Sequence, residues 1–299
     1  MVEEVSGQAP PPIMSIVVPV MNGARYIGAT LDSIARQQVA GVEVIVVDGA
    51  STDGTQDIVK AHDLPNLKLV SQIDRGQLEA LQTGIALATG EIVMWLNGDD
   101  ILMPDAFRTV IAAFAANPHA DFVYADSCAF DEPVGALYYA AGIRDLQDWD
   151  HLLFYRQLYS ECVYWRRAIT RYLPEESYDL RVYTDYAFFL NLRWGRRGLW
   201  VDRRLGAFRM REGQNSRAFH ERERHEYRRV KRDHCRRIGL SPMRYRIFQI
   251  VHAPWYLPRH VIRPKVERGL RKLRRILTAD RARKIEARAF YADWLTPGD

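Results

Sequence analysis

An apolar run, Glu91-Ile92-Val93-Met94-Trp95-Leu96, stops at Asn97-Gly98-Asp99-Asp100, and Pro104 follows. Two adjacent carboxylates behind a buried strand are rarely there for packing, because ionised side chains resist burial. In open α/β sheets, ligands bind in the crevice beyond the carboxyl ends of the strands. Carboxylates at such a place suit a hard divalent cation that bridges protein and phosphate. From these residues alone a second reading stays open: an Asp-rich turn that starts the helix near Pro104, since Asp and Pro both favour helix N-termini.

The surrounding elements separate the two readings. Residues 13–20 (IMSIVVPV) form a continuous apolar, β-branched run, the mark of a strand buried on both faces. A turn at Asn22-Gly23 and a helix with Ile27, Leu31 and Ile34 follow. Residues 42–47 (VEVIVV) give a second buried strand, which ends at Asp48. Thr52 or Asp53 caps the short helix behind it. Residues 67–73 read as a third strand, and residues 77–88 as a helix with Leu78, Leu81, Ile85 and Ala88 on one face. The run at 91–96 is the fourth strand, 104–116 a helix and 122–125 a further strand. Strands alternating with helices of this length predict βαβ units and a mostly parallel α/β sheet flanked by helices. An acidic or amide residue stands just past each of the first four strands: Asn22, Asp48, Asp74 and Asp99. One or two such residues are turn formers; four on one rim outline a polar ligand cleft. The Gly-x-Gly-x-x-Gly and Gly-Lys-Ser/Thr phosphate fingerprints are both missing.

Beyond residue 127 aromatics are dense (Tyr138, Tyr139, Trp149, Phe154, Tyr155, Tyr159, Tyr164, Trp165), and core packing is the expected job of most. Residues 184–192 (TDYAFFLNL) predict a helix with Asp185 in its first turn, 199–202 a short strand and 214–238 a charged helix. On that polar helix His220, His225 and His234 are expected to be solvated. Residues 243–290 mix apolar positions with many Arg and Lys.

Charge divides the chain of 299 residues. Residues 1–192 carry 12 Lys/Arg against 26 Asp/Glu, a net of −14, whereas residues 193–299 carry 30 against 11, a net of +19. The basic third either meets something anionic or neutralises the acidic part of the same molecule. Three widely spaced cysteines (Cys128, Cys162, Cys235) argue for a reducing compartment and against a disulfide framework. The opening MVEEVSGQAPPP is acidic, proline-rich and lacks an apolar signal core, so it reads as a disordered leader. No apolar run reaches the roughly 18 residues of a membrane span. These features predict a cytoplasmic location.

The segments SIVVPVMNG, VEVIVVDGASTDGT, DRGQLEALQTGIALATGEIVMWLNGDD with its proline five residues past Asp99, and YTDYAFFLNL resemble the inverting family-two glycosyltransferases. The resemblance covers residues 13–215. It implies the GT-A (Rossmann-like) fold and transfer of a sugar from a nucleotide diphosphate donor to an acceptor hydroxyl with inversion, normally with Mg²⁺ or Mn²⁺. By the same resemblance, Asp48 recognises the base, with a uridine diphosphate sugar favoured. Pro19, Val20 and Asn22 line the nucleotide pocket. Asp74 and Arg75 hold the nucleoside and diphosphate side, Asn97 and Gly98 belong to the donor turn, Asp99 is the metal ligand and Asp185 the general base. Asp100 orients the turn or touches the ribose, and Arg209 and Arg211 meet the diphosphate.

Three departures from the family pattern stand out: Asn97 for the first aspartate of the Asp-x-Asp signature, Gly49-Ala50-Ser51 after Asp48, and Thr184 for the glutamate before the base. The Gln-x-x-Arg-Trp signature of processive synthases is absent, which implies single additions. The implied organisation is a leader (1–12), a nucleotide-sugar-binding core (13–126), an acceptor-side part of the same domain (127–215) and a basic helical C-terminal extension (216–299).

The function expected from this is a glycosyltransferase in cell-surface or exopolysaccharide glycan synthesis, acting on a glycan or lipid-linked glycan acceptor. The alternative is a catalytically weak relative that binds a nucleotide sugar. The basic extension either lies peripherally on an anionic membrane surface or is a solvated helix packed on the acidic domain. Nucleic acid is not an expected partner, since no recognised module accompanies the charge.

Overall fold

The computed structural model describes residues 11–131, 136–140, 147–154, 158–172, 180, 182–210 and 220–256. Three strands form its centre. β1 (Met14–Val20), β2 (Val42–Asp48) and β4 (Ile92–Trp95) are buried along almost their whole length. A strand flanked by neighbours and covered by helices on both faces has no polar side, and the buried Ser15 and Glu43 are accommodated by bonding each other (2.6 Å). Side chains alternate between two cores. Met14, Ile16 and Val18 join Val44, Val46 and Met94 on one face; Val17, Ile45, Val47, Val93 and Trp95 lie on the other. Residues of α1 (Ile27–Ala35) and α4 (Ala106–Ala116) complete the first core. Residues of α3 (Gln77–Leu87) and α6 (Thr184–Arg193) complete the second. Each fully buried Leu, Ile or Phe contributes about 1.5–3 kcal/mol. α3 lies unusually close to β1: a Cβ on Gly84 would stand 2.3 Å from Val17 Cγ1.

The remaining elements are α2 (Thr55–Ala61), β3 (Leu67–Ser71), β5 (Ile101–Leu102), β6 (Phe122–Asp131), β7 (Ala136–Ala140), α5 (Asp148–Phe154), β8 (Val163–Arg166) and β9 (Gly198–Met210). The sheet order is β3-β2-β1-β4-β8-β6-β9-β5, with β7 on β6. β1 is parallel to β2 and β4, β2 to β3, and β6 to β9. β8 is antiparallel to β4 and β6, and β5 to β9. Counted along the ladders, parallel pairing predominates, as the sequence pattern predicts. The chain proceeds from β1 to β2 and β3 on one side and returns to β4 on the other. The switch point between β1 and β4 is where such a sheet opens a crevice.

The structure corrects several boundaries. The helix expected from Pro104 begins at Ala106, because Ile101–Leu102 first pair with β9. The strands expected at 122–125 and 199–202 extend to Asp131 and Met210. Their polar interiors, Asp126-Ser127 and Asp202-Arg203-Arg204, end the apolar pattern, but the ladder continues past irregularities at Asp126. β-Bulges permit this because backbone pairing does not depend on side-chain polarity.

The expected charged helix appears as α7 (His220–Arg237), followed by α8 (Pro242–Tyr256). α7 is amphipathic: Val230 and Cys235 join Leu152, Tyr186 and Leu190 in a third core, with Tyr227 packed against it. His234 is therefore not solvated, as expected, but 2% exposed. Its Nδ1 lies 2.7 Å from Asn191 Oδ1, and burial pushes its pKa down to about 3. His225 is exposed, and the side chain of His220 lies outside the described residues. All three cysteines are free and buried. The leader up to residue 10, Arg211 and the basic stretch from 257 onward also lie outside the described residues.

Candidate active site

The ends of the first two strands are stitched together. Asn22 follows β1 with φ 50°, a left-handed conformation that Asn tolerates better than most residues. Its N–H donates to Ser51 Oγ (2.7 Å), and its Oδ1 accepts from the Thr52 N–H (3.0 Å). Asp53 accepts from the Ala24 N–H through Oδ2 (3.0 Å) and from the Thr55 N–H through Oδ1 (3.1 Å). It thus tethers the β1 loop to the start of α2.

Asp48, at the end of β2, is fully buried. Its Oδ2 accepts from the Ser51 N–H (3.0 Å) and Ser71 Oγ (2.8 Å), whereas Oδ1 has no hydrogen-bond partner among the described residues. Gly49 brings the backbone against Asp74: a Cβ there would lie 2.9 Å from Asp74 Oδ2. Burial raises the pKa of Asp74, helped by the charges of Glu79 and Asp48; the Gly76 N–H opposes this.

The turn after β4 is wired from below. Asn97 Oδ1 accepts from Trp95 Nε1 and from Gln77 Nε2, both at 2.8 Å. Its Nδ2 donates to Asp100 Oδ2 (2.9 Å) and Ser160 Oγ (3.3 Å). An amide supplies donor and acceptor at once. An aspartate at 97 would lose the amide donor to Asp100 and Ser160 and add a second carboxyl beside Asp100. Asp100 is 0% exposed and accepts from the Arg209 N–H through Oδ1 (2.9 Å). Burial pushes its carboxyl well above the usual range, and the charges of Asp99 and Glu161 add to the rise.

A cleft of about 240 Å³ opens over this floor at the β1/β4 switch point. Its walls come from the end of β1 (Pro19 to Gly23, with Tyr26), the start of α3 (Asp74, Gly76, Gln77, Ala80), the β4 turn (Asn97, Gly98, Asp99) and the start of α6 (Leu180, Thr184). Seven expected residues meet here: Pro19, Val20, Asn22, Asp74, Asn97, Gly98 and Asp99. Asp185 is next to the lining Thr184, in the first turn of α6, where its Oδ1 accepts from the Tyr186 N–H (2.7 Å).

Other expected contacts lie elsewhere. Asp48 and Asp100 are buried behind the lining. Arg209 is 2% exposed beneath the turn, where its Nε donates to the Asp99 carbonyl (2.7 Å). Its guanidinium stands 5.0 Å from the Tyr26 ring and 4.5 Å from that of Phe130, so it braces the turn instead of facing the cleft. Arg75 points its Nε at Glu79 (3.0 Å) outside the lining. Arg211 lies outside the described residues.

Sequence reasoning missed Tyr26 and Gln77 in the lining and Glu161 behind it; Thr184, singled out there only as a departure from the family pattern, also lines the cleft. Glu161 belongs to a 3₁₀ turn at Ser160–Cys162, is 1% exposed and accepts from Ser127 Oγ (2.5 Å). Burial raises its pKa to about 7; the Ser127 hydroxyl opposes and the charge of Asp185 adds to the rise. The signal was available: a lone acid directly before the apolar run Cys162-Val163-Tyr164-Trp165.

Among the described residues no cluster of three or more His, Cys, Asp or Glu forms a metal cage. The cleft offers single carboxylates, Asp99 with Asp74 on another wall. Mg²⁺-like cations commonly bind through one or two carboxylates plus substrate phosphates, and these residues fit that donor set.

Comparison with known proteins agrees with this architecture. Residues 15–139 match the family described as glycosyl transferase family 2. A PGL/p-HBAD biosynthesis glycosyltransferase of Mycobacterium bovis is 34% identical over 182 residues, which span 59% of this chain and 68% of that protein. The crystal structure of Staphylococcus aureus TarS residues 1–349 with UDP-GlcNAc superposes with a TM-score of 0.59 at 21% identity, covering 82% of this chain and 73% of that one. The mannosyltransferase PcManGT of Pyrobaculum calidifontis, in complex with GDP-Man and Mn²⁺, gives 0.57 at 22% identity, over 96% and 89%. At these identities the structural likeness speaks for the fold.

Proposed function

This chain belongs to glycosyl transferase family 2 and has the GT-A fold, and from that premise we propose that it transfers one sugar at a time, with inversion, from a nucleotide diphosphate sugar to a glycan or lipid-linked hydroxyl in cell-surface glycan synthesis. The observation that carries this reading is the cleft at the switch point, walled by Asp74, Asp99 and the N-terminus of α6. A donor lies with its nucleotide between β1 and α3 and its sugar towards Thr184. Among the described residues the buried Asp48 Oδ1 has no hydrogen-bond partner, and base recognition by it requires the loop at Gly49 to open and admit an imide N–H of a uracil-type ring.

The chemistry follows from what each side chain can do. Asp185 accepts the acceptor's hydroxyl proton as the oxygen attacks the anomeric carbon. Asp99 would hold Mg²⁺ or Mn²⁺ together with the donor's diphosphate, and the cation supplies charge stabilisation for the departing nucleoside diphosphate. Arg209 fixes the Asp99 backbone from below and so keeps that carboxylate aimed at the cleft. Asn97 is accounted for as the donor to Asp100, which removes one reason to read the site as degenerate.

The test is a panel of nucleotide sugars with and without Mn²⁺, read as transfer or donor hydrolysis, with the product anomer assigned by NMR. Asp185→Asn should lower turnover by about 10²–10⁴-fold while donor binding persists. If the parent and Asp185→Asn are equally silent on every donor although both bind, the protein is a nucleotide-sugar-binding relative. A retained anomeric configuration would remove the inverting mechanism.

A further inference from the structure

α8 presents two unlike faces. Tyr245, Phe248 and Gln249 are half-buried on the side towards α7, where the Tyr245 ring lies 5.1 Å from Lys231 Nζ. The opposite side holds Met243, Ile247, Ile250 and Val251, exposed to 71, 51, 72 and 58%. At the helical step of about 100° per residue these four fall within one arc about 100° wide. Arg246 lies just past one edge of that arc and Arg244 just past the other. An apolar stripe bordered on both sides by long cationic side chains is the signature of a helix lying in a membrane interface. The stripe enters the acyl boundary while the arginines reach back to the headgroups. Soluble surfaces rarely leave such a stripe bare without a use.

We propose that α8 docks the protein onto an anionic lipid surface. Charge identifies the occupant. α8 contains no acidic residue, and residues 242–276 carry ten Lys/Arg against Glu267 alone. A second copy seated symmetrically would press Arg244 and Arg246 against their own counterparts. An anionic leaflet matches both the stripe and its borders. The inference does not depend on the transferase reading, because lipid binding needs neither donor nor acceptor.

Co-sedimentation of the full chain with vesicles of phosphatidylglycerol and phosphatidylcholine, and of phosphatidylcholine alone, tests it. The parent should bind the anionic vesicles, and more weakly as salt rises. Ile247→Glu/Ile250→Glu should weaken binding at least roughly tenfold, and Arg244→Gln/Arg246→Gln by a smaller factor. All four side chains are exposed, so thermal melts should match the parent. If the Glu pair melts early, Met243→Gln/Val251→Gln provides the milder comparison. The proposal fails if the parent ignores anionic vesicles or if the stripe variants bind them as well as the parent. It also fails if the parent is a dimer that the same substitutions split, which would assign the stripe to a second copy.

Discussion

Both halves of the sheet bury polar residues, but only the parallel half also sets them out on a rim. On the parallel side, β3-β2-β1-β4, the buried Ser15 and Glu43 bond each other near the strand starts and Asp48 closes the β2 ladder, while Asn22, Asp74 and Asp99 sit beyond the ladders, on the rim. On the side built from β8, β6 and β9, polar groups lie within the packed layer: Asp126, Ser127, Glu161 and Arg209 are all buried. The first arrangement offers carboxylates to a ligand; the second consumes them in holding the floor. Asp99 and Asp100 are adjacent in sequence and fall on opposite sides of this division. Asp99 lines the cleft, and Asp100 is locked beneath it by Asn97 and the Arg209 N–H.

The contrast breaks if rim and floor substitutions behave alike. The largest separation is expected at Asp99→Ala. Losing a preorganised charge contact at the leaving group should lower turnover by about 10²–10³-fold while the melting temperature hardly moves, because the side chain is not part of a core. Transfer kinetics beside a thermal melt read both. A comparable loss of stability would make Asp99 a floor residue.

Asn97→Asp should do the reverse. It restores the family signature on paper but sets a second carboxylate against the buried Asp100, 2.9 Å from the present amide nitrogen. Denaturant unfolding should show a loss of about 1–3 kcal/mol, the usual cost of a buried acceptor left without its donor. Unchanged stability with faster turnover would mean that the amide is a lesion in the site.

The smallest effect sharpens the comparison through pH. Glu161 has its carboxyl raised from 4.5 to about 7, so the folded protein keeps a proton that the unfolded chain releases. Stability should therefore fall as pH rises from about 5 to 7 and level off above that. Glu161→Gln retains an acceptor for Ser127 and should flatten this slope. Urea midpoints at pH 5 and pH 7.5 measure it, and an unaltered slope in the variant would assign the pH dependence to other buried groups.

Much of the rim was legible because parallel-sheet strands announce themselves as apolar runs, and whatever ends such a run must be on the rim. Asn22, Asp74, Asn97 and Asp99 were readable for that reason. Depth was not. Asp48 ends its run just as Asp99 does, yet it lies under Gly49 with Ser51 and Ser71 bound to it. Arg209 looked like a diphosphate partner because a cation near an acidic turn invites that reading. In space it is roofed by the turn and flanked by two aromatic rings. His234 looked solvated because its helix is rich in charge, but the inward stripe of Tyr227, Val230, His234 and Cys235 is narrow and easily hidden by the arginines between its members.

Local composition thus determined the strands, their order of appearance and the chemistry available at their ends, since burial on both faces makes such a run predominantly apolar. Tertiary structure alone decided which of those end residues lines the cleft and which is spent in supporting it. That choice depends on partners far away in the chain, Arg209 for Asp100 and Ser127 for Glu161, which no local pattern encodes.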